Sequence, residues 1–267
     1  MEPEQLEHTE IAARGAPEPA PARPPLRAPR GFLIYVLFNV GQLLGGLVAG
    51  VAIGGVAGYR AAQAHSHVRQ DFSTTFIIWG AIVGLLTGGA IAYRLTRRSV
   101  PDLKATASAV DVAWSIGTAG QLLLAVTTGL ALGISYIFAV AIVPTARSGS
   151  LGPLATAAVH GGPSRHAWAV LGVAVAPPIE EFVFRGVLFR AFANSWGVRG
   201  GAVAVTLLFV LSHAPEIYSY WPACGAILLL GMATLGFRVW SGALGPSIAL
   251  HASYNAVLAT LVYYSVG

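Results

Sequence analysis

Apolar runs long enough to cross a lipid bilayer recur along this chain of 267 residues. A helix needs about 20 mostly apolar residues to cross the hydrocarbon core, and in lipid its backbone polar groups must be satisfied internally. The runs occupy residues 31–58, 73–95, 112–143, 166–190, 200–220, 222–237 and 243–264. We therefore predict an all-α fold, a polytopic transmembrane helical bundle of about seven spans, with a range of six to eight.

The composition excludes an ordinary soluble domain. Hydrophobic residues make up 55% of the chain and charged residues 10%, and the mean hydropathy is +0.67, whereas soluble domains carry roughly 25% charged residues. The net charge of +5 comes from arginines in the tail and loops, which favours a lipid bilayer and not nucleic acid as the partner of the basic groups. The single cysteine, Cys224, excludes an intrachain disulfide and a metal cluster built on cysteines.

Charge and composition also divide the chain. Residues 1–30 are polar and rich in proline, which predicts a disordered tail. Lys and Arg alternate between loops so that the positive-inside rule places this tail in the cytoplasm. Residues 31–160 are interpreted as scaffold transmembrane helices and residues 161–267 as a second helical core, whose role depends on the motifs it contains.

Glycines in the first run predict close helix packing. Four recur at four-residue spacing and two more form a second pair, which leaves a smooth groove on one helix face. These residues are Gly46, Gly50, Gly54 and Gly58, with Gly41 and Gly45 as the additional pair.

The acidic pair Glu180 and Glu181 lies inside an apolar run, where ionisable groups are costly and therefore usually functional. Glu181 and Arg185 are four residues apart on one helix face, so we expect them to pair. Glu180 points about 100° away around the helix and has no local cation. A desolvated carboxylate in that position suits a general acid or base. The competing interpretation is that both glutamates only bridge helices through Arg185.

Two later runs contribute polar side chains at a similar depth. His213 lies four residues after Phe209 and just before a proline, and His251 and Asn255 lie four residues apart on one face of the last run. Counting 1.5 Å of rise per residue from the span ends places Glu180, His213 and His251 between the bilayer midplane and its inner half. The sequence therefore predicts one shared cavity, although helix-bonding polar residues would give the same pattern.

These three motifs resemble those of the CAAX protease and bacteriocin-processing membrane family, which includes the CAAX-processing endopeptidase. EExxxR matches at Glu180, Glu181 and Arg185, FxxxH at Phe209 and His213, and HxxxN at His251 and Asn255. The resemblance covers about residues 165–264, on three separate spans and in family order.

The resemblance implies an intramembrane endopeptidase of the glutamate type, without a required cofactor. Glu180 would be the base that activates water and His213 its partner, while His251 and Asn255 would donate to the oxyanion. Glu181, Arg185 and Phe209 would support the architecture. A metalloprotease interpretation also exists, in which zinc is held by Glu180, His213 and His251.

The substrate that the resemblance implies is a peptide or a membrane protein. A non-catalytic membrane regulator or bacteriocin-immunity-type protein, which binds a partner through the same cavity, is the alternative function, and a proton-coupled transporter is a third. The composition of the tail favours a bacterial plasma membrane as the location. The sequence leaves the oligomeric state open.

Overall fold

The structure is a computed structural model that describes residues 25–63, 70–100, 112–143 and 162–264. Within these ranges every regular element is helical and no strand occurs. The all-α prediction is therefore confirmed.

Three long helices precede the segment that carries the acidic pair. These are α1 (Ala28–Gln63), α2 (Gln70–Ser99) and α3 (Ala119–Ile142).

The remainder is a nearly continuous helical path that contains two π-helical segments and short breaks at residues 213, 220–222 and 242–243. Its elements are α4 (Gly162–Val170), π1 (Leu171–Val175), α5 (Ala176–Glu181), π2 (Phe182–Leu188), α6 (Phe189–Ser212), α7 (Ala214–Ser219), α8 (Ala223–Ser241) and α9 (Leu244–Tyr264).

Five helical stretches in the described residues are long and apolar enough to cross a membrane. One of them, Arg165–Ser212, contains 48 residues, and at 1.5 Å per residue it would be about 70 Å long, more than twice the hydrocarbon thickness. The path changes direction at Gly197, whose φ of 74° and ψ of 167° are not helical. The two halves of this stretch count as two crossings, and α9, with 21 residues, adds one more. The described helices therefore provide about seven crossings, as predicted.

Helices α1 and α2 are joined along glycines. A Cβ added to Gly84 would collide with the backbone oxygen of Gln42, and one added to Gly88 would collide with that of Phe38. Such backbone approach is possible only because these residues lack side chains. The helices are antiparallel, since three facing pairs run in opposite order: Gly41 with Gly88, Gly45 with Gly84, and Gly46 with Gly80.

The predicted glycine groove is only partly used. Gly41, Gly45 and Gly46 make the close contacts, whereas a Cβ on Gly58 would meet nothing within 4 Å. The same is true of Gly55. Close packing is therefore confirmed for the first part of the run and does not extend to its end.

Helices α3 and α9 form a second close pair, which runs parallel. Gly129 packs against Leu250, and Gly133 packs against Val257. At their common start, the backbone N–H of Leu244 donates to Ala113 O at 3.0 Å, in the extended segment before α3. This pairing sets the height and rotation of α9, the helix that carries His251 and Asn255.

The structure places the first described residues against the core. Leu26 is buried, its backbone oxygen accepts from Asn194 Nδ2 at 3.0 Å, and Ala28 N–H donates to Ser195 Oγ at 2.8 Å. Helix α1 thus begins two residues before the predicted end of the tail at residue 30. The rest of that tail, residues 1–24, lies outside the described residues.

Candidate active site

The two prolines before the acidic pair free a backbone acceptor. In π1 the N–H of Ala176 donates to Leu171 O, five residues back. The next donor in that register would be Pro177, which has no N–H, so the helix supplies no donor to Gly172 O. Asn255 Nδ2 donates to this oxygen at 2.7 Å. The amide side chain thereby ties α9 to the π-helical segment.

The buried pair predicted from the sequence is present. Arg185 Nη1 donates to Glu181 Oε1 at 3.0 Å, and both side chains are fully buried. Arg185 Nη2 donates to Gly231 O of α8 at 3.1 Å. A buried charge is tolerated only when it is paired and hydrogen-bonded, and this arrangement meets that condition across π2 and α8.

The aromatic ring of Phe209 contacts three polar side chains of the site. The guanidinium carbon of Arg185 stands 4.1 Å from its centroid, which is a cation–π contact. The rings of His213 and His251 lie 4.6 Å and 5.9 Å from the same centroid. Phe209 therefore fixes the relative positions of both histidines and the arginine, a more specific role than general support.

His251 lies between the two glutamates. Its Nδ1 is 2.8 Å from Glu181 Oε1 and its Nε2 is 3.9 Å from Glu180 Oε2. The Glu181 carboxylate accepts from Arg185, so Nδ1 carries the hydrogen in the bond to Glu181. In the neutral ring Nε2 is therefore a hydrogen-bond acceptor on the side of Glu180. It is a donor only when the ring is protonated.

His213 caps the break between α6 and α7, and its ring is held by its own helix. Its Nδ1 lies 2.8 Å from Phe209 O, and because a carbonyl oxygen only accepts, Nδ1 is the donor. Ser212 Oγ also donates to Phe209 O, at 2.7 Å. The neutral ring therefore has an unprotonated Nε2, which is the form a proton acceptor requires.

All four predicted catalytic side chains line one cavity of about 320 Å³. Glu180, His213, His251 and Asn255 meet there from three separate parts of the chain. Apolar side chains supply most of the remaining wall, which is typical of a substrate pocket with few polar groups. The other lining residues include Leu85, Trp168, Leu171, Ala176, Ile227, Leu230 and Leu258.

The structure differs from the expected arrangement in the neighbour of Glu180. The resemblance paired Glu180 with His213, whereas in the structure His251 Nε2 lies 3.9 Å from Glu180 Oε2. The hydrogen bonds of His213 run back to Phe209 and Ser212. Both histidines remain at the cavity, so the roles assigned to them stay predictions.

Four polar lining residues were missed by the sequence interpretation. Gln42 comes from α1, Tyr136 from α3, Glu216 from α7 and Tyr254 from α9. No motif marks Gln42 or Tyr136. Glu216 follows His213 by three residues, but His213 lies at the break between α6 and α7 and not within a helix, so the spacing alone did not mark Glu216.

The zinc interpretation requires Glu180, His213 and His251 to meet around one metal ion. Among the described residues, no three His, Cys, Asp or Glu side chains form a group that could hold a metal ion. Glu180, His213 and His251 share the cavity wall without forming such a set.

The fold and site are those of a helical membrane protein with a cavity lined by polar side chains. Residues 163–257 match the family model described as Type II CAAX prenyl endopeptidase Rce1-like. The matched segment is similar to that family, which confirms the resemblance inferred from the motifs. Searches of curated proteins and of solved structures gave no significant match.

The matched segment contains every residue of the three motifs. It begins in α4 and ends within α9, so it excludes α1, α2 and α3. The long apolar helices, together with the family, make the protein an integral membrane protein.

Proposed function

We propose that the protein is an intramembrane endopeptidase of the glutamate type, which hydrolyses a peptide bond in a membrane-associated protein or peptide. One observation carries the proposal. Glu180 faces a cavity that it shares with His213, His251 and Asn255, and its Oε2 lies 3.9 Å from His251 Nε2. A carboxylate and two histidines around a substrate-sized cavity form an acid–base site.

Water is the nucleophile in the proposed reaction. Glu180 takes a proton from the water while the water oxygen bonds to the peptide carbonyl carbon. The carbonyl oxygen then becomes an oxyanion. His213, with its unprotonated Nε2, shares the proton with Glu180. Collapse of the tetrahedral intermediate breaks the C–N bond, and the proton passes to the leaving amine. The carboxylate is regenerated in the same turnover.

His251 and Asn255 are proposed to stabilise the oxyanion. Asn255 uses one amide N–H on Gly172 O and has a second for the substrate. His251 donates from Nε2 when the ring is protonated, with Glu181 fixing the ring through Nδ1. Each such donor contributes roughly 3 kcal/mol to transition-state stabilisation.

We further propose a cytoplasmic N-terminus and a bacterial plasma membrane. The antiparallel order of α1 and α2 and the break at Gly197 support this orientation, because many of the basic residues would then lie near span ends on one side of the bundle. The positive-inside rule assigns that side to the cytoplasm. The residues concerned are Arg27, Arg30, Arg94, Arg97, Arg98, Arg190, Arg199 and Arg238.

The test is a comparison of protein N-termini in membranes that contain the wild type or Glu180→Gln. New N-termini should appear with the wild type and fall by roughly 100-fold to 10,000-fold with the variant, which is the range for loss of a general base. Glu18→Gln makes the same chemical change in the N-terminal sequence and should leave the products intact. Equal cleavage by wild type and a folded Glu180→Gln protein would refute the mechanism.

The same material separates the remaining alternatives. Loss of cleavage on chelation, with zinc bound to the purified protein and released from Glu180→Gln, would favour the metalloprotease interpretation. Partner binding or immunity that survives alanine at Glu180, His213, His251 and Asn255, without any cleavage, would instead favour a non-catalytic regulator.

A further inference from the structure

Glu216 is an acidic residue of the cavity that none of the three motifs contains. It lies in α7, three residues after His213, and its side chain is exposed while it lines the same cavity as Glu180. Glu216 has no place in the water activation proposed above.

The described lining of the cavity is acidic. Glu180 and Glu216 are its carboxylates, His213, His251, Tyr136 and Tyr254 are its other titratable groups, and it includes no Lys or Arg. The nearby cation Arg185 is fully buried, and its charge is directed to Glu181 and Gly231 O. Arg185 is therefore not among the residues that line the cavity, although its charge acts on Glu180 as well as on Glu181.

Exposed aromatic residues follow Glu216 and are typical of a membrane–water boundary at the turn before α8. Tyr218 and Trp221 follow on α7 and its turn, and their side chains are 79% and 73% exposed. Tyr and Trp concentrate at the interfaces of membrane proteins. A long basic side chain of a substrate can keep its charged end hydrated at such a depth while its stem lies in apolar surroundings.

We propose that Glu216 is a specificity-determining residue, which selects substrates with a Lys or Arg side chain near the scissile bond and disfavours a carboxylate there. The inference rests on the proposed endopeptidase function and deepens it by naming the charge of the substrate. Opposite charges about 6 Å apart, at a dielectric between those of water and protein, differ from a neutral pair by about tenfold in affinity.

The probe is a set of Ala- and Leu-rich synthetic peptides in which Lys, Gln or Glu occupies each position in turn. Cleavage is followed by mass spectrometry with the full-length protein in liposomes. The wild type should cleave the best Lys peptide about tenfold faster than its Gln counterpart and the Glu peptide more slowly still. Glu216→Gln should bring the Lys-to-Gln ratio close to one, Glu216→Lys should invert it, and Glu18→Gln should leave it unchanged.

A binding measurement separates this inference from the proposed function. Fluorescent versions of the Lys and Glu peptides are titrated onto Glu180→Gln protein with and without Glu216→Gln. If the wild type cleaves no peptide, the proposed function fails, and a Lys preference in binding that depends on Glu216 still supports the inference. A preference that is absent, or that Glu216→Gln leaves unaltered in a folded protein, overturns it.

Discussion

The α1–α2 pair and the active-site helices are both tightly packed, but by different interactions. Gly84 and Gly88 let the backbones of α1 and α2 touch. The active-site helices are connected instead by the buried chain of Arg185, Glu181 and His251. In lipid, close van der Waals contact and interhelical polar bonds are the two available means of holding helices together, and this molecule uses each in a separate region.

The two regions should therefore respond to opposite kinds of substitution. The glycine contact is disturbed by adding a single methyl group, whereas the charge network is disturbed by removing one partner. Substitutions matched in chemistry but different in location test this division directly.

Arg185→Leu should have the largest effect on stability. It leaves the fully buried Glu181 without its cation, and breaking a buried pair costs about 3–5 kcal/mol. The free energy of unfolding in detergent micelles measures it. Arg199→Leu, which removes an exposed arginine, should change that free energy by no more than about 0.5 kcal/mol. Equal effects of the two variants would mean that the buried pair does not stabilise the core.

Gly84→Ala should come second. The added Cβ collides with the backbone oxygen of Gln42, and such overpacking costs about 1–3 kcal/mol. Gly55→Ala makes the same change in α1 where nothing lies within 4 Å, and should be neutral or stabilising by about 0.5 kcal/mol. The order of the two unfolding midpoints is the measurement, and a reversed order would contradict the close packing of α1 on α2.

Asn255→Ala should reduce stability by about 1 kcal/mol, because it removes the bond that ties α9 to Gly172 O. Asn39→Ala removes an exposed bond to Tyr35 O within one helix and should cost less. Thermal unfolding of both variants in the same detergent compares them. A larger loss with Asn39→Ala would show that the bond to Gly172 O adds nothing to the packing of α9.

Glu180→Gln should have the smallest effect on stability, within about 0.5 kcal/mol. Its carboxylate faces the cavity and its approach to His251 is 3.9 Å, beyond hydrogen-bond length. Glu181→Gln, one residue away, removes the acceptor of both Arg185 and His251 and should be clearly more destabilising. Similar unfolding free energies for the two would remove the distinction between a cavity carboxylate and a structural one.

Much of the architecture was predictable because it follows from one-dimensional rules. Hydrophobic runs predicted the all-helical bundle and its number of crossings, and the four-residue spacing predicted the pair of Glu181 with Arg185. The same spacing, with the rise per residue, placed Glu180, His213 and His251 at a common height. Their shared cavity agrees with that height.

The remaining features of the site depend on how each helix is rotated about its axis and on the register of its hydrogen bonds. The depth of a residue in the membrane determines neither. Whether His213 or His251 adjoins Glu180 depends on how α6 and α9 turn around their axes, and α9 is set by its contact with α3. The acceptor of Asn255 became predictable only once the π-helical register left Gly172 O without a donor. Glu216 precedes an irregular turn in the sequence, and only the fold brings it to the cavity.

The π-helical segments make the length of this part of the chain as important as its residue types. An α-helix turns by about 100° per residue, so a deletion between Leu171 and Leu188 would rotate everything beyond it by that angle. Arg185 or Phe209 would then leave the face that it shares with α8 and α9, even with every motif residue retained. Insertions and deletions, which loops tolerate, should therefore be more damaging between these two residues than many substitutions, and a gap there would argue against shared chemistry in a related sequence.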